Sequence, residues 1–64
     1  MHVNGVHITL KERITLSVFL LAEGHDPERV AVEKNGKIVP KVSFDTETLS
    51  DDDVIEIVCF VGGG

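Results

Sequence analysis

An Asn-Gly dipeptide at positions 4–5, followed by a second one at 35–36, restricts the possible folds of this chain more than any other sequence feature. A two-residue type I′ turn needs positive φ at both central positions, and Asn-Gly meets that need best. The first dipeptide predicts a hairpin over residues 1–11, because it pairs Val3 with Val6 and separates apolar from polar side chains. The residues predicted on its apolar face are Met1, Val3, Val6, Ile8 and Leu10.

A helix is predicted after the hairpin. Residues 15–24 show helical apolar spacing, with Thr15 as the N-cap and Gly24 just past the end. The residues predicted to face the core are Leu16, Phe19 and Leu20. Three more apolar helix residues, which either pack under a loop or contact a partner, are Val18, Leu21 and Ala22.

The second half of the chain predicts short strands and one long strand. A strand at 30–34 turns at the second Asn-Gly into residues 37–39, and Pro40 ends that piece. Residues 42–49 read as irregular, and their predicted inward anchors are Val42, Phe44 and Leu49. Residues 54–60 are rich in β-branched side chains and form the strongest predicted strand.

The alternation of this last strand divides its residues between two faces. Those predicted to face the helix are Ile55, Ile57 and Cys59, and those predicted to face outward are Val54, Glu56, Val58 and Phe60. So apolar a strand is best buried in mid-sheet beside the first strand, with the helix covering the hairpin. The predicted fold is therefore α+β, a β-grasp with a mixed four- to five-stranded sheet and one helix packed across it. Other small α+β folds share this element order.

Size and charge restrict the function. With 64 residues the chain forms one domain, predicted as a globular part at 1–61 and a flexible glycine tail at 62–64. A body this small has little room for a deep pocket, which argues against a free-standing enzyme. The net charge is −5, and from Asp45 onward there are six acidic residues and no Lys or Arg. Such a surface repels nucleic acid and favours a basic partner.

Several residues look chemical without making a site. Cys59 is the only cysteine, which excludes an internal disulfide and agrees with an expected cytoplasmic location away from membranes. We expect it to be a small buried hydrophobic residue, since its neighbours supply no base. His2 and His7 should face each other, but two ligands do not make a metal site, and Asp51–Asp53 reads as a solvated turn. No metal site is predicted.

The sequence ends on Val61-Gly62-Gly63-Gly64, directly after the strongest strand. Glycine lacks a Cβ and lets backbone approach backbone closely, as entry into a narrow active-site channel requires. Four extended residues reach about 13 Å, at about 3.3 Å each. The alternative interpretation is a frayed end without function.

Over residues 1–64 the sequence resembles the ThiS family, the sulfur carriers of thiamin thiazole synthesis. The resemblance rests on the length, the Asn4-Gly5 hairpin, the helix, the Val-Glu-Lys-Asn-Gly-Lys-Ile-Val-Pro stretch at 32–40, and the Phe60-Val61-Gly62-Gly63-Gly64 ending. Of these, Asn-Gly-x-Ile-Val-Pro matches the family pattern well. The terminal Gly-Gly is shared by all ubiquitin-like carriers.

The resemblance implies a carrier whose working group is the carboxylate of Gly64. A ThiF-type adenylating enzyme would activate that carboxylate with ATP, and a persulfide sulfur donor protein would convert it to a thiocarboxylate. A ThiG-type thiazole synthase would accept the sulfur. Gly62 and Gly63 would enter the partner's active site. ATP and Mg²⁺ belong to the partner, so the carrier itself needs no cofactor.

Recognition by these partners should come from the folded body. We predict an exposed apolar patch beside the tail, formed by Val58, Phe60 and Val61. Val58 and Phe60 are on the outward face of the last strand, and Val61 directly precedes the glycines. Two other functions remain open from the sequence. One is a sulfur carrier for molybdopterin, cysteine or tRNA thiolation, and the other is a β-grasp protein-binding module with an unimportant tail.

Overall fold

The computed structural model describes residues 1–60. Its secondary structure consists of β1 (His2–Val3), β2 (Val6–His7), β3 (Ile14–Thr15), α1 (Leu16–Ala22), β4 (Val30–Lys34), β5 (Lys37–Ile38), β6 (Thr48–Leu49) and β7 (Val54–Cys59). Short 3₁₀ helices span Pro27–Arg29 and Lys41–Ser43. The predicted tail at 62–64 lies outside the described residues. No helix within residues 1–60 is long and apolar enough to cross a membrane.

The main sheet has five strands in the order β2-β1-β7-β4-β5. The last strand, β7, lies in the middle, parallel to β1 and antiparallel to β4. The predicted mixed sheet, and the place of β7 beside the first strand, are therefore confirmed. A second, two-stranded sheet pairs β3 with β6 through Ile14 and Leu49, and the sequence pattern did not predict it.

The two Asn-Gly turns form as predicted. The φ angles are 51° and 83° at Asn4 and Gly5, and 52° and 83° at Asn35 and Gly36. Each hairpin, β1–β2 and β4–β5, is therefore closed by a turn with both central residues at positive φ.

Both turn asparagines also bond to the central strand, which the sequence did not reveal. The Asn4 amide donates to the Ile57 carbonyl at 3.1 Å and accepts from the Ile57 amide at 2.7 Å. The side-chain oxygen of Asn35 accepts from the Val54 amide at 2.9 Å. The side-chain amides of both asparagines thus bond to the main chain of β7 as a neighbouring strand would. The tips of both hairpins therefore help to fix the register of β7.

The helix begins and ends where its capping residues predict. The Thr15 hydroxyl accepts a hydrogen bond from the Val18 amide at 3.3 Å, and Gly24 has φ of 83°. The helix itself is shorter than the predicted 15–24, because these two residues cap and terminate it rather than belong to it.

The core lies between α1 and the sheet. Its buried apolar residues are Met1, Leu16, Phe19, Leu20, Val30, Val32, Val39, Phe44, Leu49, Ile55 and Ile57. Three residues of the predicted apolar hairpin face are only partly buried against this core: Val3, Ile8 and Leu10. Three other residues predicted to face inward are exposed: Val42, Val6 and Cys59. Val42 is 92% exposed, because it lies in a 3₁₀ turn whose inward place is taken by Phe44. Val6 is 62% exposed, because β2 is an edge strand exposed on both faces.

Candidate functional site

The site begins at Phe60, the last described residue before the glycine tail. Its amide donates to the Arg29 carbonyl at 2.8 Å, which extends the ladder between β7 and β4 by one residue. The Lys41 ammonium lies 5.6 Å from the centre of the Phe60 ring and donates to the Glu28 carbonyl at 2.6 Å. The base of the tail is therefore anchored by its own main chain and by a cation over the ring.

Phe60 adjoins an exposed surface on the side of the sheet away from the helix. We call this surface the open face, and define it by Ala31, Glu33, Ile38, Val54, Glu56, Val58 and Phe60. Four of its apolar side chains are strongly exposed: Ile38 at 67%, Val54 at 49%, Val58 at 59% and Phe60 at 55%. The predicted outward phase of β7 is confirmed. Val61, the third residue of the predicted patch, lies outside the described residues.

Cys59 differs from its prediction, because it is exposed rather than buried. It pairs with Val30 at the end of the β4–β7 ladder, so it lies on the core side as the alternation predicted. At this end of β7, Cys59 is next to the loop that follows the helix, and its Sγ atom lies 3.8 Å from Nδ1 of His25 in that loop. The prediction of a buried residue was wrong because the helix covers the middle of β7 and not its last residue.

A polar cluster lies beside the start of β7, at the opposite end from the tail. Lys34 donates from Nζ to Glu47 Oε2 at 2.8 Å and to the Thr48 carbonyl at 2.9 Å, and lies 3.8 Å from Asp53 Oδ2. The hydrogen bond to Glu47, together with the negative charge of Asp53, raises the pKa of Lys34 despite the opposing effect of its desolvation. The ammonium ties β4 to the segment that carries β6.

Asp53 is only 8% exposed, so reading it as part of a solvated turn was wrong. Burial by itself raises its pKa, but hydrogen bonds from Asn35 at 2.9 Å and from the Ser50 amide at 2.8 Å, with the Lys34 charge, outweigh burial and lower it. The carboxylate is therefore a structural acceptor. A sequence signal existed, since Ser50 and Asp53 have the spacing of a capping box before an apolar run, in which the acidic side chain accepts from the Ser amide.

Asp51 has a different structural role. It accepts hydrogen bonds from the Leu10 amide at 2.9 Å and from the amino group of Met1 at 3.0 Å. The Leu10 bond and then the Met1 ammonium lower the pKa of Asp51. This carboxylate joins the two ends of the first hairpin and leaves only Asp52 as a fully solvated member of the acidic run.

The predicted histidine pair is confirmed. His2 and His7 are cross-strand partners, with ring centres 5.2 Å apart and ring planes at 53°. Within the described part of the chain, no three His, Cys, Asp or Glu residues are grouped closely enough to hold a metal ion.

An open groove of about 550 Å³ lies near the β4–β5 turn. Its lining consists of Lys34, Asn35, Lys37, Ile38, Val39, Pro40 and Glu47. None of these side chains is a Ser, Cys or His, and Glu47 raises the pKa of Lys34, so its amine is held as an ammonium that is not a nucleophile.

The outer side of the helix is also exposed. Val18 is 55% and Leu21 63% exposed, and Ala22 is exposed as well. Of the two alternatives given for these residues, packing under a loop is therefore wrong. They lie across the molecule from the open face.

Comparison with known proteins gives a consistent result. The model of the ThiS family matches residues 1–64. The chain is similar to the sulfur carrier protein ThiS of Bacillus subtilis, at 37% identity over 100% of this chain and 98% of that protein. It is also similar to the crystal structure of the thiamine biosynthesis protein ThiS from Geobacter metallireducens, with a TM-score of 0.81 and 35% identity over 98% of this chain and 96% of that one.

A third relative is much longer. The thiazole synthase of Magnetococcus marinus is 39% identical over all of this chain, which covers only 20% of that protein. The chain thus spans about a fifth of the length of this relative. The full-length similarity to the Geobacter structure confirms the predicted β-grasp fold.

Proposed function

Because this chain belongs to the ThiS family, we propose that it is a small sulfur carrier protein of thiamin biosynthesis whose working group is the carboxylate of Gly64. It is a carrier rather than an enzyme. The observation that carries the proposal is the family match over residues 1–64, which includes the Gly62-Gly63-Gly64 ending next to the central strand.

The proposed chemistry starts with activation by a ThiF-type adenylating enzyme. An unactivated carboxylate repels nucleophiles and has a poor leaving group. One oxygen of the Gly64 carboxylate attacks the α-phosphorus of ATP, which releases pyrophosphate and leaves an acyl adenylate. ATP and Mg²⁺ are bound by that enzyme, so the carrier supplies only the carboxylate and its tether.

Sulfur then enters from a persulfide donor protein. The terminal persulfide sulfur attacks the acyl carbon and displaces AMP, which forms an acyl disulfide. A thiol of the donor system attacks the distal sulfur, so the S–S bond breaks, a new protein disulfide forms, and the thiocarboxylate leaves with the electron pair. A ThiG-type thiazole synthase accepts this sulfur.

The fold is suited to a carrier in which the folded body is recognised and the tail delivers the carboxylate. The body provides recognition, through the proposed contact residues Val58, Phe60 and Val61, while Gly62 and Gly63 enter the enzyme. A side chain at either glycine would obstruct a channel built for bare backbone. The central place of β7 means that the tail emerges from the most strongly paired strand, next to the anchored ring of Phe60.

A thiazole synthase as the acceptor is supported by the relatives. Two proteins named thiazole synthase, from Magnetococcus marinus and Paramagnetospirillum magneticum, contain a segment 39% and 40% identical to this chain. A carrier and its acceptor gain from a shared polypeptide, because the effective concentration of the sulfur at the acceptor rises.

The test is intact-mass spectrometry after incubation with ATP, the adenylating enzyme and the sulfur donor. We expect the chain to gain the mass difference between a sulfur and an oxygen atom, located at Gly64. Deletion of Gly64 should abolish the gain, because the tail is then too short by about 3.3 Å and small displacements from attack geometry cost large factors in rate.

Two more variants complete the test. Gly63→Val should be severely impaired by a clash in the channel, while Cys59→Ser should gain sulfur like the wild type. Sulfur on the chain that lacks Gly64, or sulfur located at Cys59, would contradict the proposal.

A further inference from the structure

We propose that the open face docks on the ThiF-type adenylating enzyme by seating one cationic side chain, an arginine or lysine of that enzyme, between Glu33 and Glu56. The exposed apolar residues around the two carboxylates complete the contact. This inference rests on the proposed function, because it assigns the surface that brings the tail to that enzyme.

The first observation is a repulsive pair in the middle of the sheet. Glu33 on β4 and Glu56 on β7 are directly opposite each other and both are exposed. Side chains in such positions have Cβ atoms about 5 Å apart, and like charges there destabilise the sheet. None of the ion pairs within residues 1–60 includes either glutamate. The free protein therefore holds two neighbouring carboxylates that no direct ion pair among the described residues neutralises.

The second observation is the apolar surround. Ile38 is opposite Glu33 on the other side of β4, while Val54 and Val58 lie two residues before and after Glu56 on the same face of β7. All three are about half exposed or more. A partner that covers them excludes water from the carboxylates, and an ion pair becomes stronger when water is excluded. An acidic centre inside an apolar ring is thus suited to one desolvated cation, and the guanidinium fork can bond to both carboxylates.

The charges point to an ATP-binding enzyme as the occupant. A site that holds a triphosphate needs Lys, Arg or Mg²⁺ around it, so its entrance carries positive potential. The carrier is complementary, because its net charge is −5 and the exposed carboxylates of its open face, Glu33 and Glu56, are in no ion pair among residues 1–60. Glu56 also belongs to β7, the strand that leads to the tail. A cation seated at Glu56 would therefore fix the point from which the tail enters the active site.

The test uses Glu33→Gln and Glu56→Gln in the full chain, with Glu23→Gln as the matched control. Glu23 is exposed at the C-terminus of α1, across the molecule from the open face, so the control removes the same charge elsewhere. Dissociation constants for the adenylating enzyme are measured by calorimetry at two salt concentrations, and melting temperatures by circular dichroism. Each open-face variant should weaken binding by about tenfold or more and reduce its salt dependence, while the control changes little.

The melting temperature separates docking from a structural role. Since the pair is repulsive in the free protein, either open-face variant should melt at the same temperature as the wild type or higher. Unchanged dissociation constants would overturn the inference, and so would weaker binding together with a lower melting temperature. The sulfur-gain experiment tests the proposed function separately. Sulfur gain with unchanged binding of both variants contradicts only the docking inference, whereas absent gain with selectively weakened binding contradicts only the carrier chemistry.

Discussion

Replacing Phe60 by Ala should weaken binding to the adenylating enzyme by about 2 kcal/mol, or about 30-fold in the dissociation constant. The ring is 55% exposed in the free protein, so its partner can still cover more than half of it. A phenylalanine side chain offers about 200 Å², which leaves about 110 Å² for the interface. At about 25 cal/mol per Å² this is about 2.8 kcal/mol, and the methyl group of Ala retains part of it.

The same substitution should affect the fold only slightly. It removes the contact with the Lys41 ammonium, which is worth about 0.5–1 kcal/mol at an exposed site. The Lys41 bond to the Glu28 carbonyl and the main-chain bond from residue 60 to Arg29 remain possible. For a domain of this size the loss should lower the melting temperature by about 4–8 °C per kcal/mol.

The assay is calorimetric titration with the adenylating enzyme, beside thermal melting of the free chain. Phe60→Leu is the matched control, because it keeps most of the apolar area but loses the ring that Lys41 faces. It should bind within a few-fold of the wild type. An unchanged dissociation constant for Phe60→Ala would refute the interface argument, and a chain that no longer folds would assign Phe60 to the core.

The remaining predictions concern the fold around the site. Asn4→Gly keeps a residue that tolerates positive φ but loses two bonds to Ile57, so chemical denaturation should give a free energy of unfolding lower by about 2 kcal/mol. The folded-state pKa of Asp53 is lowered, so its stabilisation is present above the unfolded pKa of about 3.9 and is lost as pH falls through the lower folded value. Asp53→Asn should therefore be less stable at pH 7 and show a flatter loss of stability with acid, because the carboxylate that accepts from Asn35 is gone. Cys59→Ser should change the melting temperature little, because the side chain is exposed.

Local patterns in the sequence were sufficient for both hairpins, the helix and the central strand, but not for the second sheet of β3 and β6. Asn-Gly turns need positive φ at both residues, so both hairpins could be located from two dipeptides. The period-two alternation of β7 gave the buried Ile55 and Ile57 and the exposed Val58. These features depend on neighbours close in the chain, and a sequence reports such neighbours directly.

What depends on distant contacts could be decided only by the tertiary structure. The alternation of β7 placed Cys59 on the core side. Whether Cys59 is buried depended on how far the helix extends along β7, and Cys59 is exposed because the helix does not cover the end of that strand. Asp53 lay in an acidic run, yet Asn35 and Lys34, from another hairpin, make it a buried acceptor. The facing of Glu33 and Glu56 likewise follows from the β4–β7 register. The sequence alone determined which face each residue of β7 takes, because alternation is local, whereas burial and charge pairing were decided by elements that only folding brings together.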